Sequence, residues 1–436
     1  MHLIETVLLL LLAVVVSGSI ARITRIALPL VQIGLGAVIV LATGKTVDLE
    51  PDIFFLLFLP PLLFLDGWRI PKEDLFRDRA VILELALGLV IFTVVGLGFM
   101  IWWMIPEMPL AVAFALAAIL SPTDPIAVQA IAARAPIPKR LMHILEGESL
   151  LNDATGLTCM RIAVIAATTG VFSLTHAIGN FAWLALAGVA SGVLVTLAIS
   201  TAKGWISKRW GEDVGAQILI SLLIPFGAYL AAEHVHVSGI LAAVSAGITM
   251  SYTENSGRAL AATRIRRTAV WDTIQFALNG GMFVLAGEQM PTMLRSGAAA
   301  LREAEIGGLN TILMGIVVIT LAMILLRAAW VWISFSVFMF RWGQARPARF
   351  VQLVLASSFA GVRGTITLAG VMTFPLMAGG APFPGRDLAV ALAGGVVILS
   401  LVLAGLFLPP LLRGLKMPEK GTQERDERRE RGLKAE

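Results

Sequence analysis

Residues 113–134 read AFALAAILSPTDPIAVQAIAAR. The stretch is apolar on both sides and long enough for one crossing of a ~30 Å hydrocarbon core, yet two prolines stand at its middle. Pro122 and Pro125 have no backbone N–H, so the carbonyls of Ala118 and Ser121 lose their helical donors, and the rings obstruct a regular helix. The spacing predicts a helix interrupted around Thr123 and Asp124. Unpaired backbone at that depth is tolerated only where it lines a polar cavity or is buried in protein. Broken half-helices also offer carbonyl ends that can ligate a cation. A plain proline kink would account for the prolines, but the Thr-Asp pair inside the break points to a site.

The rest of the chain fits a membrane setting. Of 436 residues, 57% are hydrophobic and 14% charged, against about 25% charged in an ordinary soluble domain, and the mean hydropathy is +0.85. The expected fold is an all-α polytopic membrane protein. Apolar stretches fall near 3–21, 27–43, 53–68, 80–104, 109–133, 139–169, 177–201, 214–233, 237–251, 269–288, 310–340, 351–378 and 388–412, which gives about 13 transmembrane helices. Numbered in order, the odd loops hold nineteen Lys and Arg residues and the even loops only Lys45, Arg295, Arg302 and Arg386. Basic residues accumulate in cytoplasmic loops, so the N-terminus is expected outside and the C-terminus inside. The first helix has no Lys or Arg before its apolar run and is expected to be retained as a span.

Residues 1–412 then form one transmembrane domain, and 413–436 a short charged cytoplasmic tail. The sequence pI of about 9.6 reflects the cytoplasmic loops, with no nucleic-acid partner implied. A lone Cys159 excludes an intramolecular disulfide and a cysteine-based metal cluster. Short loops leave no room for a soluble catalytic domain, so an enzyme is not expected, and no cofactor is implied.

The next polar concentration is EGESLLNDATG, residues 146–156. Glu148 and Asn152 are four residues apart, as are Ser149 and Asp153, so the two pairs form adjacent strips of one helix surface. Hydroxyl, amide and carboxylate oxygens are hard ligands suited to alkali or alkaline-earth cations. Small polar residues also glue membrane helices together, a role that suits Ser149 alone better than Asp153. Glu146 and His143, nearer the cytoplasmic end, stay outside the candidate site.

The third concentration is FAGVRGTITLAG, residues 359–370. Gly361 and Gly364 flank Arg363 near mid-span, so local unwinding is easy and the guanidinium has space to reach free carbonyls. Arg327 is a second deeply placed cation, and two such arginines require anions. Glu148 is expected to pair with Arg327 as a structural ion pair, which leaves Asp153 free for an ion. Helices 1–6 and 8–13 form two six-helix sets at an odd offset of seven, so they read as inverted repeats in which interrupted helix 5 maps onto interrupted helix 12. Paired, crossing broken helices of that kind mark a midplane site in secondary transporters.

SPTDPIAV, EGESLLNDATG, LLRAAWV, GVRGTI and FLPPLLF, together with HVSGILAAVSAGI, resemble the signatures of the monovalent cation/proton antiporters of the NhaP and eukaryotic sodium/proton exchanger type. The resemblance runs from about residue 53 to 370. It implies a homodimer with a dimerisation region and a mobile six-helix core. It implies that Asp153 alternately holds sodium or a proton, with Ser149, Asp124 and Thr123 completing a sodium site. Asn152 before Asp153 resembles the electroneutral branch. One feature departs from the pattern: where many relatives have Glu after FLPPLLF, this chain has Leu65, and Asp66 follows, turned by about 100°. Asp66 is therefore either a further ligand or an interfacial carboxylate facing Arg69 or the mouth of a funnel.

The functional expectation is a sodium/proton antiporter of the bacterial inner membrane, whose substrates are protons and sodium or another alkali cation. A potassium/proton antiporter is the alternative within transport, and a cation channel is the alternative of another class. An intramembrane aspartyl protease built on Asp124 and Asp153 is disfavoured by Asn152 and by the cation-type ligands around it.

Overall fold

A computed structural model describes residues 2–44, 51–132, 137–170, 174–211, 213–255, 261–303, 308–341, 349–378 and 381–415. Each apolar stretch of the sequence coincides with a helix or an interrupted helix. These are α1 (His2–Thr24), α2 (Leu28–Thr43), α3 (Pro51–Arg69), α4 (Arg79–Met104), α5 (Leu110–Leu120 and Pro125–Ala132), α6 (Lys139–Thr169) and α7 (Leu174–Trp210). They continue as α8 (Val214–His234), α9 (Gly239–Asn255), α10 (Ala261–Glu303), α11 (Leu309–Arg341), α12 (Phe350–Phe359 and Thr365–Met372) and α13 (Arg386–Leu412). A short helix, Lys72–Arg77, precedes α4, which contains a π-helical turn at Glu84–Leu89. Beyond helix there is one two-residue antiparallel pairing among the described residues, Met377–Ala378 with Ala381–Pro382.

By length and composition α1, α4, α6, α7, α8, α11 and α13 can each cross a membrane, and the halves of α5, bent by 48°, make an eighth candidate. The chain is a multi-pass membrane protein. The expected tail lies outside the described residues from 416 onward.

Three helices differ clearly from the sequence reading, one of them α7, which ends at Trp210 where 201 was expected. Helix α10 has 43 residues where 269–288 was expected, and at 1.5 Å per residue it is about 65 Å long, twice the hydrocarbon thickness. Hydropathy finds only its inner part, because Arg264, Arg266 and Arg267 near one end and Arg295 and Arg302 towards the other break the apolar run. Helix α12 stops at Met372 rather than near 378, where Thr373 and Phe374 close the last turn and the short pairing takes over.

The helices approach closely at small residues, as expected where lipid gives no hydrophobic drive between them. A Cβ on Gly36 of α2 would strike the carbonyl of Val284 in α10, and one on Gly287 of α10 would strike that of Ile33 in α2. The same reciprocal contact joins α3 and α9, with Gly67 against Val244 and Gly247 against Phe64. Exchanging α2 with α9 and α3 with α10 converts one set into the other, and in all four helices the glycine follows its contacted residue by three positions. Helix α1 packs on α2 and α10 just as α8 packs on α9 and α3. This is the pairing that an inverted repeat offset by seven helices produces.

Candidate ion site at two crossed helix breaks

Helix α5 stops at Leu120 and resumes at Pro125, and α12 stops at Phe359 and resumes at Thr365. The two breaks meet: the N–H of Asp124 donates to the carbonyl of Val362 at 2.8 Å. The carbonyl of Ala118, deprived of a donor by Pro122, accepts from the Ser121 hydroxyl at 2.9 Å instead. Asp124 Oδ1 accepts from the N–H groups of Ile126 at 2.9 Å and Ala127 at 3.3 Å, capping the second half of α5. The other oxygen of Asp124 lies against Gly364, where a Cβ would overlap the carboxylate. Only glycine lets the two breaks approach this closely.

Arg363 lies inside the α12 break. Its N–H donates to Ser400 Oγ of α13 at 3.2 Å, and its Nη1 donates to the Gly361 carbonyl at 2.6 Å. The guanidinium thus sits at the carbonyl end of the first half of α12, where a cation opposes the helix dipole. Its Nε has no hydrogen-bond partner among the described residues.

The two strips of α6 separate in space. Glu148 and Asn152 turn into a buried hydrogen-bonded chain. Arg327 donates from Nη1 to Glu148 Oε1 at 2.5 Å, from Nη2 to Oε2 at 2.7 Å, and from Nε to the Ser357 carbonyl at 2.9 Å. Thr123 donates to Glu148 Oε1 at 3.3 Å and accepts from Asn152 Nδ2 at 3.0 Å. Glu148, Asn152 and Arg327 are all buried. Asn152 Oδ1 has no partner among the described residues.

The other strip, Ser149 and Asp153, lines a cavity of about 30 Å³ together with Asp66, Thr123, Asp124 and residues 364–367. A water needs roughly 10–15 Å³ of such space, so the cavity has room for a water-sized particle. Asp153 is buried, and no hydrogen bond or ion pair reaches its side chain among the described residues. The charges of Asp124 and Asp66 act on it across the cavity. Asp66 stands in the cavity wall, while Arg69, its alternative partner in the sequence reading, turns to Asp272 and to Gln275.

Among the described residues no group of three or more His, Cys, Asp or Glu side chains is placed to hold a metal ion. The oxygens around this cavity are a mixed set of carboxylate and hydroxyl. Glu146, left out of the site, accepts from Gln129 Nε2 at 2.8 Å. Reading the sequence alone missed four residues. Thr365 and Thr367 of α12 and Met282 of α10 line the cavity, and Ser400 holds the backbone of Arg363. The threonines followed a visible break motif, whereas Met282 and Ser400 carry no local signal.

At the charged end of α4, outside the span, Asp78 accepts from Arg140 Nη2 at 2.8 Å and from Arg77 Nη2 at 3.3 Å. Burial favours its neutral form, but the hydrogen bonds and charges of Arg140 and Arg77 outweigh burial and hold the carboxyl below the usual range. This pair fastens the start of α4 to the start of α6.

Residues 7–414 match the transmembrane family of sodium/hydrogen exchangers. The chain belongs to that family. It is thus a cation/proton antiporter and not an enzyme. It is similar to the Escherichia coli K12 protein YjcE, described as an uncharacterized Na(+)/H(+) exchanger, with 40% identity covering 100% of this chain and 81% of that one. Identity is also 40% to the sodium, potassium, lithium and rubidium/H(+) antiporter of Bacillus pumilus, over 92% of this chain and 60% of that protein's length. In fold the antiporter resembles the sodium proton antiporter MjNhaP1 of Methanocaldococcus jannaschii, with a TM-score of 0.69, 18% identity and coverage of 95% and 99% of the two chains.

Proposed function

We propose that the chain is a secondary-active sodium/proton antiporter that exchanges one monovalent cation for one proton at Asp153 by alternating access. The observation that carries this reading is the contrast on α6. Glu148 is neutralised by Arg327, while Asp153, five residues on, faces a small cavity with no hydrogen-bond or ion-pair partner of its own among the described residues. A carboxylate in that position needs a counter-charge, and a cation or a proton can each supply it. The two compete for the same oxygens, so binding one empties the other. If either neutral form lets the core move and the bare charge does not, binding couples to exchange.

Ser149, Thr123 and Asp124 are the further sodium ligands in this reading, and the place of Asp66 in the cavity wall supports it as another. Asn152 orients Thr123, keeps one unpaired oxygen and adds no charge, which supports electroneutral exchange. Arg363 compensates the carbonyl end at the α12 break. The chain crosses the bacterial inner membrane thirteen times with its N-terminus outside and C-terminus cytoplasmic, and works as a homodimer. The Bacillus relative's name covers sodium, potassium, lithium and rubidium, which favours a second reading with a broader alkali-cation range.

Proton flux in sealed proteoliposomes, with each alkali ion added in turn and the voltage clamped, tests the proposal. The expected result is sodium-driven proton movement that is insensitive to voltage. Voltage-dependent flux would remove the electroneutral part, and currents through single open channels would remove the antiport mechanism altogether.

A further inference from the structure

A second and much larger cavity, about 550 Å³, shares no lining residue with the one at the crossed breaks. Its apolar walls are Phe55 and Leu56 of α3, Leu157 and Met160 of α6, Leu230 of α8 and Ile240 of α9. It reaches the exterior, for Ile165 and Leu230 in its lining are 54% and 51% exposed. Two charges stand in the same lining: Arg161 of α6 and Glu233 of α8, with nitrogen and oxygen 3.6 Å apart.

That separation is an ion pair without a hydrogen bond. The Arg161 guanidinium makes no hydrogen bond among the described residues, and Glu233 Oε1 receives only the Gly239 N–H at 3.4 Å. Arg161 precedes the end of α6 by eight residues, about 12 Å along the helix. Its side chain is 53% exposed, so its five donors are open to whatever fills the cavity. Water would satisfy the charges but leave the apolar walls wet. A molecule with an anion, a cation and a hydrocarbon chain satisfies both.

We infer that this cavity binds a phospholipid bearing a phosphoethanolamine headgroup, its phosphate on Arg161, its ammonium on Glu233 and an acyl chain between α3, α6, α8 and α9. The headgroup chemistry fixes the class. Guanidinium recognises phosphate bidentately, and a primary ammonium donates hydrogen bonds to a carboxylate. A quaternary choline cannot donate, and a glycerol headgroup has no cation to offer Glu233. A lipid seated there bridges α6, which carries Asp153, to α3, α8 and α9.

The test uses the purified full-length protein, delipidated and offered equal amounts of phosphatidylethanolamine, phosphatidylcholine and phosphatidylglycerol, with bound lipid read by native mass spectrometry. The wild type is expected to retain phosphatidylethanolamine about tenfold better than either competitor, the ratio of one good charge-assisted contact. Glu233→Gln, nearly isosteric, should erase the preference, and Arg161→Ala should lower retention of all three. Arg161→Lys keeps the charge and should recover part of it, so a poorly folding alanine variant leaves the question decided by the other two. Equal retention of the three lipids by the wild type, best retention of phosphatidylglycerol, or an ethanolamine preference unchanged in the variants would overturn the inference.

Discussion

Two carboxylates of one helix, Glu148 and Asp153, have opposite surroundings. Glu148 holds Arg327 through two short hydrogen bonds while Asp153 holds nothing but the cavity. Removing one partner from a buried pair leaves an uncompensated charge and costs about 3–5 kcal/mol, whereas replacing both by apolar residues is often nearly neutral. Arg327→Met alone should therefore lower the thermal midpoint sharply, and Glu148→Leu with Arg327→Met should recover much of it, as followed by tryptophan fluorescence. A Glu148→Gln variant that unfolds like the wild type yet loses cation binding would make Glu148 a ligand and not a structural partner. The i, i+4 spacing exposed both strips in the sequence, and the sum of buried charges suggested which acid met Arg327. Helix phase left Asp66 ambiguous, because a turn of about 100° reads equally as cavity or interface until the neighbours of α3 are known.

At the level of single elements, the site depends on where helices stop. Gly364→Ala would place a methyl group on the Asp124 carboxylate, so cation-driven proton flux should fall at least about tenfold while the variant still inserts. Normal flux from Gly364→Ala would mean that the close crossing is dispensable. The α4–α6 fastening at Asp78 makes a pH-dependent statement. Its folded-state pKa is depressed by Arg140 and Arg77 against burial, so its contribution is present above the unfolded value of about 3.9 and is lost as pH falls through the folded one. Asp78→Asn should lower neutral-pH stability by about 1–3 kcal/mol, and the gap from wild type should close below about pH 4. A gap that widened on acidification would reverse the assignment. Both breaks were legible because prolines in α5 and a Gly-Val-Arg-Gly stretch in α12 are local chemistry. The full length of α10 was not, since its charged ends look like loops to any reading based on hydropathy.

Across the whole molecule, the reciprocal glycine contacts of α2 with α10 and α3 with α9 show that the repeat extends beyond the two breaks. Distant pairings of this kind cannot be read from one sequence, where each of these glycines is only a small residue in an apolar run. The same holds for Ser400, which supports Arg363 from a helix whose sequence advertises no polar role. What the sequence could carry was the alternation of basic loops and the ordered motifs, and these were enough for the fold class and for the residues that meet at the crossing. The most direct measurement is proton release when sodium is added to the purified protein in weakly buffered detergent solution. About one proton should be released per sodium bound, as expected of two ions that share one carboxylate, and none from Asp153→Asn. Sodium binding without proton release, or undiminished release from Asp153→Asn, would contradict it.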